Sequence, residues 1–117
     1  MIQIIELIES PLENKKYRAF TNDGKHYDFG LKGSKTYLDH QNKYLRDNYH
    51  KRHLANEKER YLIENGIMSP ALLSFYILWG GYTDINNCIK YLNNILREKS
   101  KQKSLVMLYN ARFTRIR

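Results

Sequence analysis

Between Ser69-Pro70 and Gly80-Gly81 the chain runs Ala71-Leu72-Leu73-Ser74-Phe75-Tyr76-Ile77-Leu78-Trp79. Nine residues that are apolar nearly all round a helix cannot lie on a surface, so this segment is expected at the centre of the core with everything else wrapped about it. Its ends are marked. Ser69 suits the N-cap, Pro70 suits the first helical position where its missing N–H is not needed, and the glycine pair stops the helix.

The flanking segments carry one apolar stripe each. Tyr37, Leu38, Tyr44, Leu45 and Tyr49 recur at helical steps from Thr36 to about His53, with Lys43, Asp47, His50 and Lys51 on the opposite side. Asn56 to Asn65 predicts a second helix with Tyr61 and Leu62 inward, stopping at Gly66. After the glycine pair, Thr83 or Asp84 can cap a helix whose inward stripe is Ile85, Ile89, Leu92 and Leu96.

The first third reads as sheet. Residues 1–9 alternate loosely and are rich in isoleucine, and Ser10-Pro11 breaks the run because proline cannot donate to a ladder. Lys16 to Phe20 places Tyr17 and Ala19 on one face, with Arg18 and Phe20 on the other. Asn22-Asp23-Gly24 follows, then the aromatic run His26 to Phe29, which together predict a hairpin around Asp-Gly. Gly30-Leu31-Lys32-Gly33 ends the sheet; this spacing is too short for a phosphate loop and reads as a turn that needs positive φ. The expected fold is α+β: a small antiparallel sheet with an aromatic hairpin, packed against about four helices. Residues 1–99 form the expected compact domain, and 100–117 a basic, partly apolar extension. Within it, Leu105 to Tyr109 reads as a last strand, added to the sheet edge or offered to a partner.

Length and charge bound the function. The 117 residues, 42% hydrophobic and 27% charged, suffice for one globular domain without disulfide or metal. Lone Cys88 stands among apolar neighbours and reads as a packing thiol. With no Asn-x-Ser/Thr sequon it fits a reducing compartment. The start is apolar but interrupted by Glu6 and Glu9, so neither a signal peptide nor a membrane span is expected. Of the net charge of +8, six units fall on Lys99, Lys101, Lys103, Arg112, Arg115 and Arg117, with no acid after Glu98, which leaves +2 for the rest. A nearly balanced body with a basic tail points the tail at phosphate or at an acidic protein surface.

No catalytic constellation stands out. His50 and His53 are three apart, yet no cysteine or carboxylate joins them at ligand spacing, so no metal and no cofactor is expected. Asp39-His40, Asn48 and His53 resemble a His-Asn-His nuclease only faintly, since they fall on one expected helix. Arg46, Lys51 and Arg52, with Lys58 and Arg60, offer a second basic face, though Asp47, Glu57 and Glu59 interleave with it. Most of the ten tyrosines are expected in the core rather than as base-stacking platforms.

Lys16-Tyr17-Arg18, Asp23-Gly24-Lys25, Phe29-Gly30, Leu31-Lys32-Gly33, Tyr49 with Arg52-His53, Gly66-Ile67 and Leu78-Trp79 follow one another in an order that resembles a small family of domains of unknown function from large nucleocytoplasmic DNA viruses, those of algae and amoebae among them. The resemblance spans Lys16 to about Trp79; the first strand and the tail have no counterpart, and Leu72-Leu73 stands where an aromatic is usual. It implies a viral protein made in quantity and carried in the virion, present in host cytoplasm or nucleus during assembly. The expectation is therefore a non-enzymatic, capsid-associated structural protein whose partners are other virion proteins. A basic nucleic-acid-binding or genome-packaging protein is the alternative. The tail favours the first reading because it mixes Leu105, Val106, Met107, Leu108, Tyr109 and Phe113 with its charges.

Overall fold

The structure, a computed structural model, describes the backbone of residues 1–115 and the side chains of residues 1–106. Three antiparallel strands, β1 (Ile4–Glu9), β2 (Lys15–Thr21) and β3 (His26–Leu31), form one sheet in the order β1-β2-β3. The Asp-Gly hairpin forms where the sequence puts it: Phe20 pairs with His26, Thr21 N–H donates to the Lys25 carbonyl at 3.0 Å, and Gly24 turns the chain at φ 81°. Period-two alternation sorts the faces as expected. Ala19 and Phe29, with Ile4 from β1, lie in the core. On the outer face the Arg18 guanidinium holds Asp28 with two bonds, 3.0 and 3.1 Å long, and Ser10 Oγ donates to the same carboxylate at 2.6 Å.

Gly30 and Gly33 both have positive φ, 79° and 86°. At Gly30 a Cβ would come within 2.9 Å of Leu78 and of the Lys16 side chain. The turn reading of this pair therefore holds, and the first glycine also makes room for the core.

The segment expected as one helix from Thr36 to His53 is two. Thr36 caps α1 (Tyr37–His40) through a capping box with Asp39. Gln41 then turns left-handed at φ 53°, and Asn42 Oδ1 accepts from the N–H groups of Tyr44 and Leu45 to start α2 (Lys43–Ala55). An asparagine side chain that competes for backbone donors is a strong restart signal. The break rotates α2 away from the expected stripe. Tyr37 is buried, but Tyr44 is 73% exposed, Leu45 is exposed, and α2 buries no residue fully. His50, expected on the solvent side, instead packs against the core helix.

Asn56 Oδ1 caps α3 (Glu57–Glu64) by accepting from Glu59 N–H. Here Ile63 is the inward residue and Tyr61 is exposed, which corrects the expectation for Tyr61. Ser69 caps α4 (Pro70–Leu73), which runs straight into a π-helical turn, Ser74–Leu78, closed by Trp79 N–H on the Ser74 carbonyl at 3.0 Å. Leu72, Leu73, Ile77 and Leu78 are buried, as an all-round apolar segment demands.

Asp84 starts α5 (Ile85–Arg115): its carboxylate accepts from Asn86 N–H and its carbonyl from Cys88 N–H. Cys88, Leu92 and Leu96 close the core, and burial pushes the Cys88 thiol up, so the packing-thiol reading holds. The expected strand at Leu105–Tyr109 is not formed; those residues continue α5 without interruption past Lys99. The reason is local. No glycine or proline falls between Ile85 and Arg115, and Lys, Gln, Leu, Met and Arg are good helix formers, whereas β preference yields to context. The result is the expected α+β fold, with five helices among the described residues.

Candidate binding surfaces

Two surfaces of different chemistry stand out: an aromatic groove beside the π-turn, and the exposed far half of α5. The groove is built by α2, the π-turn, the Gly80-Gly81 bend and the start of α5. A π-turn inserts one extra residue into a helix, a widening often found at functional sites. Here it carries Phe75 and Tyr76 to one side and leaves the Trp79 carbonyl free to accept from His50 Nε2 at 2.5 Å. The His50 ring stacks on Phe75 at 4.1 Å, and neighbouring Tyr49 stacks on Trp79 at 4.5 Å with the planes only 7° apart. Two successive residues of α2 thus lie flat on the π segment.

The aromatic series continues past Phe75. Tyr76 meets Phe75 edge-on at 5.1 Å, Tyr91 of α5 lies 6.2 Å from Tyr76, and Tyr82 crosses Tyr91 at 5.6 Å. Together with His50, Gly80 and Gly81 these rings line a groove of about 430 Å³ with no carboxylate among its walls. Burial, with the neighbouring Glu59 charge, pushes the Tyr49 hydroxyl up to about 12. Burial also raises the Tyr76 hydroxyl, helped by Tyr91 beside it. Tyr82 and Tyr91 escaped the sequence reading because tyrosine was assigned to the core. The available signal was position: Tyr91 lies off the stripe Ile85, Ile89, Leu92 and Leu96, and Tyr82 follows a glycine pair.

The basic residues named from the sequence separate into engaged and free. Lys99 is engaged: its Nζ donates to the Glu64 carbonyl at 2.5 Å and its stem lies over Gly66. Arg46 spreads over the Tyr37 ring at 4.9 Å, its Nε 3.5 Å from Asp47. Arg52 is exposed, its guanidinium 5.8 Å from the Tyr49 ring, and Lys51 is exposed. Lys101 and Lys103 are exposed on α5, Lys101 with an ion pair to Glu98 at 3.6 Å, worth a few tenths of a kcal/mol at most. Arg112 and Arg115 belong to α5, but their side chains, like the whole of Arg117, lie outside the described residues.

From Lys101 to Val106 every residue is exposed, including Leu105 and Val106 at 65% and 58%. Leu105 lines a shallow groove with Met1 and Val106 another with Glu64 and Asn65, so this stretch presents apolar and basic side chains together at the margin of the body.

The histidines do not converge on a metal. His50 faces the Trp79 carbonyl and His53 Nδ1 faces Glu59 at 2.5 Å; among the described residues no three potential ligands gather. Asp39 is held by the Thr36 N–H in its capping box. Among the described residues no helix is long and apolar enough to cross a membrane.

No curated protein and no solved structure matches the chain. The sequence marks from Lys16 to His53 lie inside a run that a family model recognises, whereas Gly66-Ile67 and Leu78-Trp79 lie beyond it. Over residues 5–53, which take in nearly all of the sheet, α1 and most of α2, the chain is similar to a family of unknown function, DUF5754, whose model matches there.

Proposed function

We propose that this protein is a non-enzymatic structural component of a virus particle that acts by protein–protein binding, with the far half of α5 as its contact to a neighbouring protein. One observation carries the binding surface. Leu105 and Val106 are 65% and 58% exposed on α5, between exposed Lys101 and Lys103 and a sequence without acids. Exposed apolar side chains on a helix, bordered by basic ones, suit an acid-rimmed apolar surface on a partner. The viral assignment is supported by the resemblance of Lys16 to Trp79 described above, not by the geometry.

The test is the protein content of purified particles, measured by quantitative mass spectrometry. The chain should be present at constant stoichiometry, and Leu105→Glu with Val106→Glu should lower it at least tenfold while leaving the folded body intact. Absence from particles would overturn the viral reading; unchanged incorporation of the double variant would overturn the assignment of the surface.

Six positive charges without an acid from Lys99 to Arg117 support a second reading, binding and packaging of nucleic acid. Changing Arg112, Arg115 and Arg117 to Ala should then flatten the slope of log K against log salt for duplex DNA by about 2 to 3. An unaltered slope over about 50 to 300 mM salt would discard it.

A further inference from the structure

The groove beside the π-turn has no role in the contact proposed for α5, and Tyr91 lies fourteen residues, about 21 Å of helix, from Leu105. We propose that it is a stacking site for unpaired nucleobases of a single-stranded nucleic acid.

Four features of the groove argue for this occupant. Tyr82 and Tyr91 are 43% and 44% exposed, so their rings are offered to solvent rather than used up in the core. They cross at 60°, with Tyr76 behind Tyr91, leaving ring faces of different orientation around one hollow. At about 430 Å³ the hollow is at the small end of the range for ligand sites, about 300 to 1,000 Å³, which suits one or two flat rings. Its polar groups include the Tyr82 and Tyr91 hydroxyls and the His50 ring, whose Nε2 donates to the Trp79 carbonyl.

Charge then selects among flat or apolar ligands. No carboxylate lines the groove, and Lys51 and Lys90, next in sequence to His50 and Tyr91, are both exposed. A cationic ligand finds no counter-ion on these walls. A polyanion with planar rings is attracted by the two lysines and can place its bases on the tyrosines. A duplex keeps its bases stacked inside and cannot reach the hollow, so the groove separates single strands from duplexes, which a basic tail does not.

Two variants test it without touching the core. Tyr91→Ala removes one platform. Gly81→Leu adds bulk at the groove wall, and Gly81 tolerates a side chain because nothing lies within 4 Å of its would-be Cβ and its φ is not left-handed. The measurement is fluorescence polarisation of labelled oligothymidylate of about fifteen nucleotides, and of the same strand in a duplex, at about 150 mM salt, with thermal melts of each variant as a folding control. The wild type should prefer the single strand. Each variant should weaken single-strand binding by about tenfold, as loss of a stacked base implies, and leave duplex binding unaltered. Leu105→Glu with Val106→Glu should leave the single-strand preference intact, which separates this site from the α5 contact. Equal affinity for strand and duplex, a preference that survives Gly81→Leu, or displacement of the strand by an oligoproline peptide but not by free thymidylate would overturn the proposal.

Discussion

Asn93 holds Ile4 as a neighbouring strand would: its Oδ1 accepts from the Ile4 N–H at 2.9 Å and its Nδ2 donates to the Ile4 carbonyl at 3.0 Å. Gln3 uses its own backbone toward the hairpin, where its carbonyl accepts from Asn22 N–H, so the next residue points outward to the sheet edge. One side chain of α5 therefore satisfies both edge groups of a buried residue and ties the last helix to the first strand. Gln3 adds to the clasp through its Nε2 on the Asn93 carbonyl at 3.1 Å.

Asn93→Ala should lower unfolding free energy by about 2 to 4 kcal/mol, because two partly buried backbone groups lose their partner. Asn93→Asp keeps an acceptor but loses the donor and should destabilise as well. Urea unfolding followed by circular dichroism measures both; a loss below about 0.5 kcal/mol for the alanine variant would show that the clasp is incidental.

Gly80 and Gly81 should respond oppositely to the same substitution. A Cβ on Gly80 would sit 2.1 Å from the Tyr76 carbonyl oxygen, a backbone atom of the π-turn that cannot step aside. Gly80→Ala should cost at least about 2 kcal/mol, and Gly81→Ala should fall within about 0.5 kcal/mol of wild type. Equal effects in thermal melts would count against the close approach that shapes the groove.

Acid should unfold the protein through the carboxylates of the sheet and α1. The Arg18 guanidinium, with the Ser10 hydroxyl, holds Asp28 below its ordinary 3.8; the Thr36 N–H does the same for Asp39, and the Thr21 hydroxyl for Asp23. Each folded value lies below the unfolded one, so the stability they contribute is complete above about pH 4 and is lost as pH falls through the folded values. Melting temperature should drop steeply below pH 4. Asp28→Asn should lower it at neutral pH and make the acid drop shallower; an unchanged acid limb would sink the assignment to Asp28.

Alkali acts with the reverse sign at Tyr49. Its hydroxyl is raised to about 12 from 10.0 by burial and by Glu59, so the folded state favours the neutral phenol. That stability is complete below pH 10 and is lost as pH rises toward 12. In an ultraviolet phenolate titration Tyr49 should ionise with the last tyrosines, and Tyr49→Phe should remove that late component.

Where local chemistry decided structure, the sequence was legible. Asp23-Gly24 placed the hairpin, and Ser69-Pro70 and Gly80-Gly81 bounded the core helix, because these residues act on their own backbone. What failed depended on competition or on neighbours far along the chain. Asn42 broke a plausible long stripe by capping a new helix, and Leu105 to Tyr109 gave up a strand preference because nothing interrupted α5 before them. The π-turn gave no advance sign, since its extra residue is fixed by packing against α2 and α5. Charge alone singles out the lysines of α5, of which Lys101 and Lys103 are exposed. The groove was not legible, because it needs residues from three elements to meet, and tyrosine by itself does not announce whether its ring faces core or water.

The continuity of α5 has a mechanical consequence. Thirty-one residues make a rod of about 46 Å, and its near end is bolted to the sheet by Leu92 and Asn93. Whatever grips the far end is held at a fixed angle to the β-sheet rather than on a tether. Torque applied there is delivered to the first strand through the Asn93 clasp and the core packing behind it.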